Sequence, residues 1–184
     1  EARDKSQKAA AVFREIMSTP DKAVPRNLLD DAEAVGVCPD VIKAGILLAT
    51  TGKGGDDLSP FAAEHFPFMN PSFADMNTPA LVVAGDQDRS RLSTRGPDWF
   101  ADPYFLRPGS KSLLTLFGAE HSLGGISGYS VAETTDESPE RVALIQRHTL
   151  DYLRNALGLD DSSWPAARAA LEESAIPLGR IESK

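Results

Sequence analysis

Cysteine is nearly absent: Cys38 is the only one in 184 residues, which excludes an intrachain disulfide and a cysteine-rich zinc site. No apolar run approaches the roughly 18 residues that a membrane-spanning helix needs. The longest, Ala44 to Ala49, has the length of a strand. Only three histidines occur, none in an H-E-x-x-H or other tight ligand spacing, so the pattern calls for no metal and no cofactor. Internal repeats, low-complexity segments and a linker that would force two domains are also missing. Basic residues are in deficit, 19 against 27 acidic ones, for a formal net charge of -8. A surface of that sign repels phosphate backbones and anionic lipid, so nucleic acid and membranes are poor candidates for partners. What remains is a globular composition, 41% hydrophobic and 25% charged, whose stability has to come from a packed core. The chain opens on Glu1-Ala2-Arg3-Asp4-Lys5 with no apolar leader. It reads as a processed product or a piece of a longer protein rather than as a signal peptide. A cytoplasmic location is the default reading.

The spacing predicts a helical segment over 1–40, an α/β portion over 41–173 and an irregular tail over 174–184. In the first, Ala9, Val12, Phe13 and Ile16 fall at i, i+3, i+4 and i+7, and a second helix is expected from about Pro25 to Val35. Both suit amphipathic cover for a sheet. Then come three strand-length apolar runs, Val41 to Ala49, Ala80 to Ala84 and Ser112 to Phe117, each followed by a glycine-containing loop. Strands apolar on both faces are typical of parallel sheets covered by helices. A well-marked helix follows, with Ser138 as N-cap, Pro139 at the first helical position and Gly158 just past the end. A short alanine-rich helix is expected from about Trp164 to Glu173. The fold class is therefore α/β, a mostly parallel sheet flanked by helices.

In open α/β sheets, functional residues gather in the loops at the carboxyl ends of the strands. The second run ends in Gly85-Asp86-Gln87-Asp88 and the third in Gly118-Ala119-Glu120-His121-Ser122. An acid and then a histidine on successive strands is the second half of a nucleophile–acid–histidine arrangement. A serine hydroxyl attacks only when a neutral imidazole removes its proton, and the imidazole needs a carboxylate to fix its tautomer. Asp88 is the preferred carboxylate, with Asp86 in reserve and Arg89 or Arg91 as its possible partner; His121 is the general base. His65 reads as a partly buried loop or helix residue, and His148 as a solvated residue flanking the long helix's apolar stripe. Phe61, Phe66, Phe68 and Met69, set among prolines, suit either a lid or a loop packed on the sheet. Asp56 and Asp57 suit a cation site or, more simply, a solvated turn.

The run Thr78 to Asp88 resembles the acid-bearing strand and turn of the α/β-hydrolase superfamily, and Phe117 to Tyr129 resembles its histidine loop. With Ile42 to Ala49, Asp98-Trp99-Phe100 and Glu133 to Glu137, the pattern is similar to bacterial hydrolases of the chlorophyllase and dienelactone-hydrolase-like group over about Val41 to Leu171. The resemblance implies the carboxyl-terminal portion of that fold, with Asp88 as acid and His121 as base acting on a small-molecule carboxylic ester. No Gly-x-Ser-x-Gly elbow occurs in the chain, and no oxyanion loop precedes the strands. Gly125-Ile126-Ser127-Gly128-Tyr129 comes close in spelling but follows the histidine, so Ser127 is rejected as nucleophile. The nucleophile is expected upstream or on a second chain. A non-catalytic binding domain on the same fold is the alternative, and an upstream Asp or Cys nucleophile a further one.

Overall fold

Leu81, Val82, Val83 and Ala84 are all apolar, so neither face of the strand they form can be left to water. The computed structural model describes residues 44–71 and 73–184, together with Gln7, Ala11 and Arg14, and it covers both faces of that strand. The chain divides into two units, Glu1–Ile42 and Lys43–Lys184. In the first, Gln7, Ala11 and Arg14 are helical and exposed, as positions off the apolar stripe of the expected helix should be. That stripe, the helix expected from Pro25 and Cys38 lie outside the described residues.

In the second unit, β1 (Gly45–Leu48), β2 (Ala80–Gly85) and β3 (Lys111–Leu116) form a parallel array, and β4 (Gly179–Ser183) pairs antiparallel with β3. Spatial order follows chain order, β1-β2-β3-β4. The class is thus α/β with a mostly parallel, mixed sheet. The strand side chains alternate between two cores, as the period of two requires. Leu81, Val83, Leu114, Leu116 and Ile181 face one layer, formed by α3 (Pro139–Ala156) and α4 (Ser163–Glu172) through Ile145, Tyr152, Trp164, Ala167 and Leu171. Val82, Ala84 and Leu113 face the other, where Leu58, Ala62, Trp99, Phe100 and Tyr104 are supplied by short elements. These include α1 (Pro60–His65) and α2 (Asp102–Leu106).

The long helix starts as its sequence demands. The Ser138 side chain accepts from the Arg141 amide at 3.3 Å, Pro139 holds the first turn and Glu140 meets the helix dipole. In α1 the same device recurs, with Ser59 accepting from the Ala62 amide at 3.1 Å. On this face the turns are tied by charge: Arg95 bonds Asp57, Asp98 and the buried Asp102, and Asp102 also accepts from the Lys53 amide at 2.8 Å. Asp57 therefore belongs to an ion-pair knot, not to a solvated turn.

Three expectations need correction. The stretch 174–184 is not irregular, because β4 occupies Gly179–Ser183. Gly179 and Ile181 face inward while Arg180 faces out, and a polar, half-buried strand of this kind carries no continuous apolar signal. His148 is not solvated but buried between α3 and α4, Nδ1 lying 2.9 Å from the Leu144 carbonyl and Nε2 3.3 Å from that of Ala167. It stands on the buried stripe between Ile145 and Tyr152, and its ring meets Trp164 edge-on. His65 lies at the end of α1, exposed and stacked on Phe61 at 4.5 Å. Of the aromatic segment around it, Met69 packs on the sheet's core while Phe61 and Phe68 are exposed.

If β4 is an integral strand, Ile181→Ala should cost about 2–5 kcal/mol of unfolding free energy. Arg180→Ala, on the outward face, should stay within about 0.5 kcal/mol. Urea denaturation of the two variants makes the comparison.

Candidate active site

Strands β2 and β3 run parallel in register, Gly85 beside Leu116, so the turns at their carboxyl ends emerge side by side. Three bonds stitch those turns together. The Asp86 amide donates to the Leu116 carbonyl at 3.0 Å, the Gln87 amide to the Ala119 carbonyl at 3.0 Å, and the Gly118 amide to Asp86 Oδ1 at 2.7 Å. Glycine at 85 is what permits the approach, since a Cβ there would sit 2.1 Å from the Ala119 carbonyl oxygen. The outcome is that Asp88 Oδ2 and His121 Nδ1 meet at 3.0 Å across the two strand ends.

The two partners differ sharply in environment. Asp88 is fully buried and His121 is 67% exposed. An ionised carboxylate can only accept, so the proton between them belongs to Nδ1 and Nε2 is left as the basic nitrogen. The hydrogen bond that His121 donates to Asp88 raises the imidazole's pKa above its ordinary 6.5, against an opposing push from burial. Phe100 packs against the imidazole, ring centres 5.4 Å apart, and is itself braced edge-on by Trp99. The Trp99 indole donates to the Lys53 carbonyl at 2.8 Å, so the ion-pair knot of that face fixes the floor under the histidine.

Asp86, the reserve carboxylate, is occupied elsewhere: it accepts from Gly118 and from the Gln87 side chain. Neither Arg89 nor Arg91 pairs with it, and the Arg91 guanidinium instead lies over Phe61 at 5.3 Å. A hollow of about 390 Å³ opens beside His121, walled by Leu48, Ala49, Leu123, Ile126 and Val131. Two of these wall residues hold backbone that L-residues rarely adopt, Ala49 at φ +42° and Leu123 at φ +51°. Strain of that kind costs about 1–3 kcal/mol and clusters at functional sites. Among the described residues no hydroxyl or thiol is hydrogen-bonded to Nε2. Ser122 donates to the Glu133 carbonyl at 2.9 Å; Ser127 borders the hollow on an exposed turn without the strand–turn–helix setting of an elbow. No group of three or more His, Cys, Asp or Glu side chains among the described residues is arranged to hold a metal ion. No helix among them is long and apolar enough to cross a membrane.

Two further residues beside the site were not singled out as site residues from the sequence, although Asp136 lies in the Glu133 to Glu137 stretch of the resemblance. Asp136 accepts from the backbone on either side of His121, and Arg141 donates to the Phe117 and Asp136 carbonyls. No family model matches the chain, and neither does any curated protein or solved structure.

The raised pKa of His121 fixes the sign of a pH effect. Stability contributed by the Asp88–His121 pair is complete below about 6.5 and is lost as pH rises through the folded-state pKa. In an NMR titration His121 should therefore protonate above 6.5 in the wild type. In Asp88→Asn the midpoint should fall to the ordinary value or below. An unchanged midpoint would remove Asp88 as its partner.

Proposed function

We propose that this chain supplies the acid, Asp88, and the general base, His121, of a serine-type α/β hydrolase acting on carboxylic esters. In this reading it is the carboxyl-terminal portion of an enzyme of the chlorophyllase and dienelactone-hydrolase-like group, with the nucleophile contributed by an upstream segment or a second chain. The observation that carries the reading is the 3.0 Å bond between a fully buried carboxylate and the Nδ1 edge of an exposed imidazole, at the carboxyl ends of adjacent parallel strands. An arrangement of that kind leaves Nε2 free to take a proton in front of a hollow large enough for a small ester.

The chemistry asks little more of these two residues. His121 Nε2 removes the proton of the attacking hydroxyl as its oxygen bonds to the ester carbonyl carbon. It then returns that proton to the departing alcohol, leaving an acyl-enzyme. A water molecule then gives one proton to His121 Nε2 as its oxygen bonds to the acyl carbon. The bond from that carbon to the nucleophile's oxygen breaks, His121 returns the proton to that oxygen, and the carboxylic acid departs with the hydroxyl restored. Asp88 holds the Nδ1–H tautomer and stabilises the imidazolium formed between the two proton transfers. The apolar wall of Leu48, Leu123, Ile126 and Val131 suits an apolar acyl or alcohol portion, and Glu133 in the same lining disfavours an anionic one.

The decisive experiment is the intact mass of the native gene product before and after a fluorophosphonate probe. A species well above 19.7 kDa that takes one label supports the serine hydrolase. A larger product that hydrolyses esters without taking label points to an aspartate or cysteine nucleophile. A product that neither labels nor hydrolyses esters favours a non-catalytic binding domain, a reading consistent with the lack of a described hydroxyl at Nε2. In an active full-length enzyme, His121→Ala should lower kcat by at least about 10⁴-fold while the fold persists. Asp88→Asn should be far more damaging than Asp86→Asn, because only Asp88 touches the imidazole. Hydrolysis of a chromogenic ester by the three variants reads this directly.

A further inference from the structure

His121 stands on a loop with no regular element of its own: residues 121–127 are turns. The backbone passes through the left-handed region three times in succession, at Leu123 (φ +51°), Gly124 (+87°) and Gly125 (+107°). Glycine tolerates this freely, but leucine does not, and such a conformation persists only where surrounding contacts over-determine it.

Those contacts converge on Asp136. Its Oδ2 accepts from the Glu120 amide at 2.7 Å and from the Gly124 amide at 2.9 Å. One of these amides immediately precedes His121 and the other lies three residues beyond it. The carboxylate is only 3% exposed, and its second oxygen, Oδ1, is buried with no hydrogen-bond partner. Hydrogen bonds to an ionised acceptor are about twice as strong as neutral ones, and this one oxygen holds the loop at two points that bracket His121. Other ties run parallel to it, none of them bonding the backbone on both sides of His121 through a single atom. Arg141 donates to the Phe117 and Asp136 carbonyls at 3.0 and 3.1 Å, the Ser138 amide to the Gly124 carbonyl at 2.9 Å, and Thr135 to the Glu120 carboxylate. Arg141 and Glu120 are the charged groups nearest the clamp, and Asp88 is the one bonded to the imidazole.

We propose that Asp136 is a positioning residue for His121, clamping the loop by the amides of Glu120 and Gly124 so that Nδ1 meets Asp88 and Nε2 faces the hollow. The proposal rests on the reading of Asp88 and His121 as acid and base. It makes a distinction that the field of a nearby charge does not. Asp136→Asn keeps an acceptor oxygen toward the two amides and places its amino group at the buried, unpartnered Oδ1 position, losing charge but retaining the clamp. Asp136→Ala loses both.

The test is the NMR titration of the His121 imidazole in the intact protein, assigned by the signal that disappears in His121→Ala. The expected result is a midpoint that falls in Asp136→Ala by at least half the drop caused by Asp88→Asn, and stays near the wild-type value in Asp136→Asn. An unmoved midpoint in Asp136→Ala, with only the melting temperature lowered, would overturn the proposal by making the residue merely structural. So would an equal fall in both variants, which would make its charge rather than its clamp responsible. Should Asp136→Ala not fold, Asp136→Ser, able to accept from one amide, is compared with Asp136→Asn against the same outcomes. Ester turnover measured alongside separates the two claims. A midpoint that moves as expected without turnover in any form keeps the clamp and removes the hydrolase reading; an unmoved midpoint with turnover intact does the reverse.

Discussion

The site depends on one constraint, the in-register parallel pairing of β2 with β3. Because Gly85 lies beside Leu116, the turns after the two strands leave the sheet at the same height, and the missing side chain at Gly85 lets the Ala119 carbonyl come within bonding distance of the Gln87 amide. Slip that register by one residue and Asp88 would change faces. No local feature of either turn would then restore the meeting with His121. The pair is a product of the sheet, and the sheet is a product of two cores that hold β2 from both sides.

The two cores contribute unequally to the site. The α3–α4 layer is a broad apolar contact that fixes the strands. The opposite layer is built from short pieces tied by charge, and it is this layer that reaches the imidazole through Trp99 and Phe100. An ion-pair knot of Arg95 with Asp57, Asp98 and Asp102 thus acts on His121 through an aromatic floor rather than through its own field. Rigidity here comes from packing, and the loop above it from the buried carboxylate of Asp136.

Much of this was legible in the residues. The continuous apolar runs gave β1, β2 and β3 because strands buried on both faces need no alternation. Ser138, Pro139 and Gly158 marked the long helix because helix ends have their own chemistry. Asp86, Asp88 and His121 stood out because each lies in the turn directly after a buried strand, but which aspartate touches the imidazole was not legible there; the fold brings Asp88 to it and the Gly118 amide to Asp86. β4 was missed because a half-buried edge strand with Arg180 and Glu182 has one large apolar residue, Ile181, and no pattern. His148 was misread because its burial depends on a carbonyl of α4, nineteen positions away. Asp136 lies in the Glu133 to Glu137 stretch of the resemblance, but nothing there marked it as a site residue: its partners are backbone amides, and any residue type can supply those.

The order of the elements along the chain has a consequence for biosynthesis. Leu81, Val83, Leu114 and Leu116 present an apolar face as soon as β2 and β3 exist, yet its cover, α3 and α4, lies entirely downstream in Pro139–Glu172. During synthesis at about 5–20 residues per second, that face therefore waits some seconds for its lid. A chain stopped short of Ser138 would carry Asp88 and His121 with their strands but lack the cover that α3 and α4 give this face.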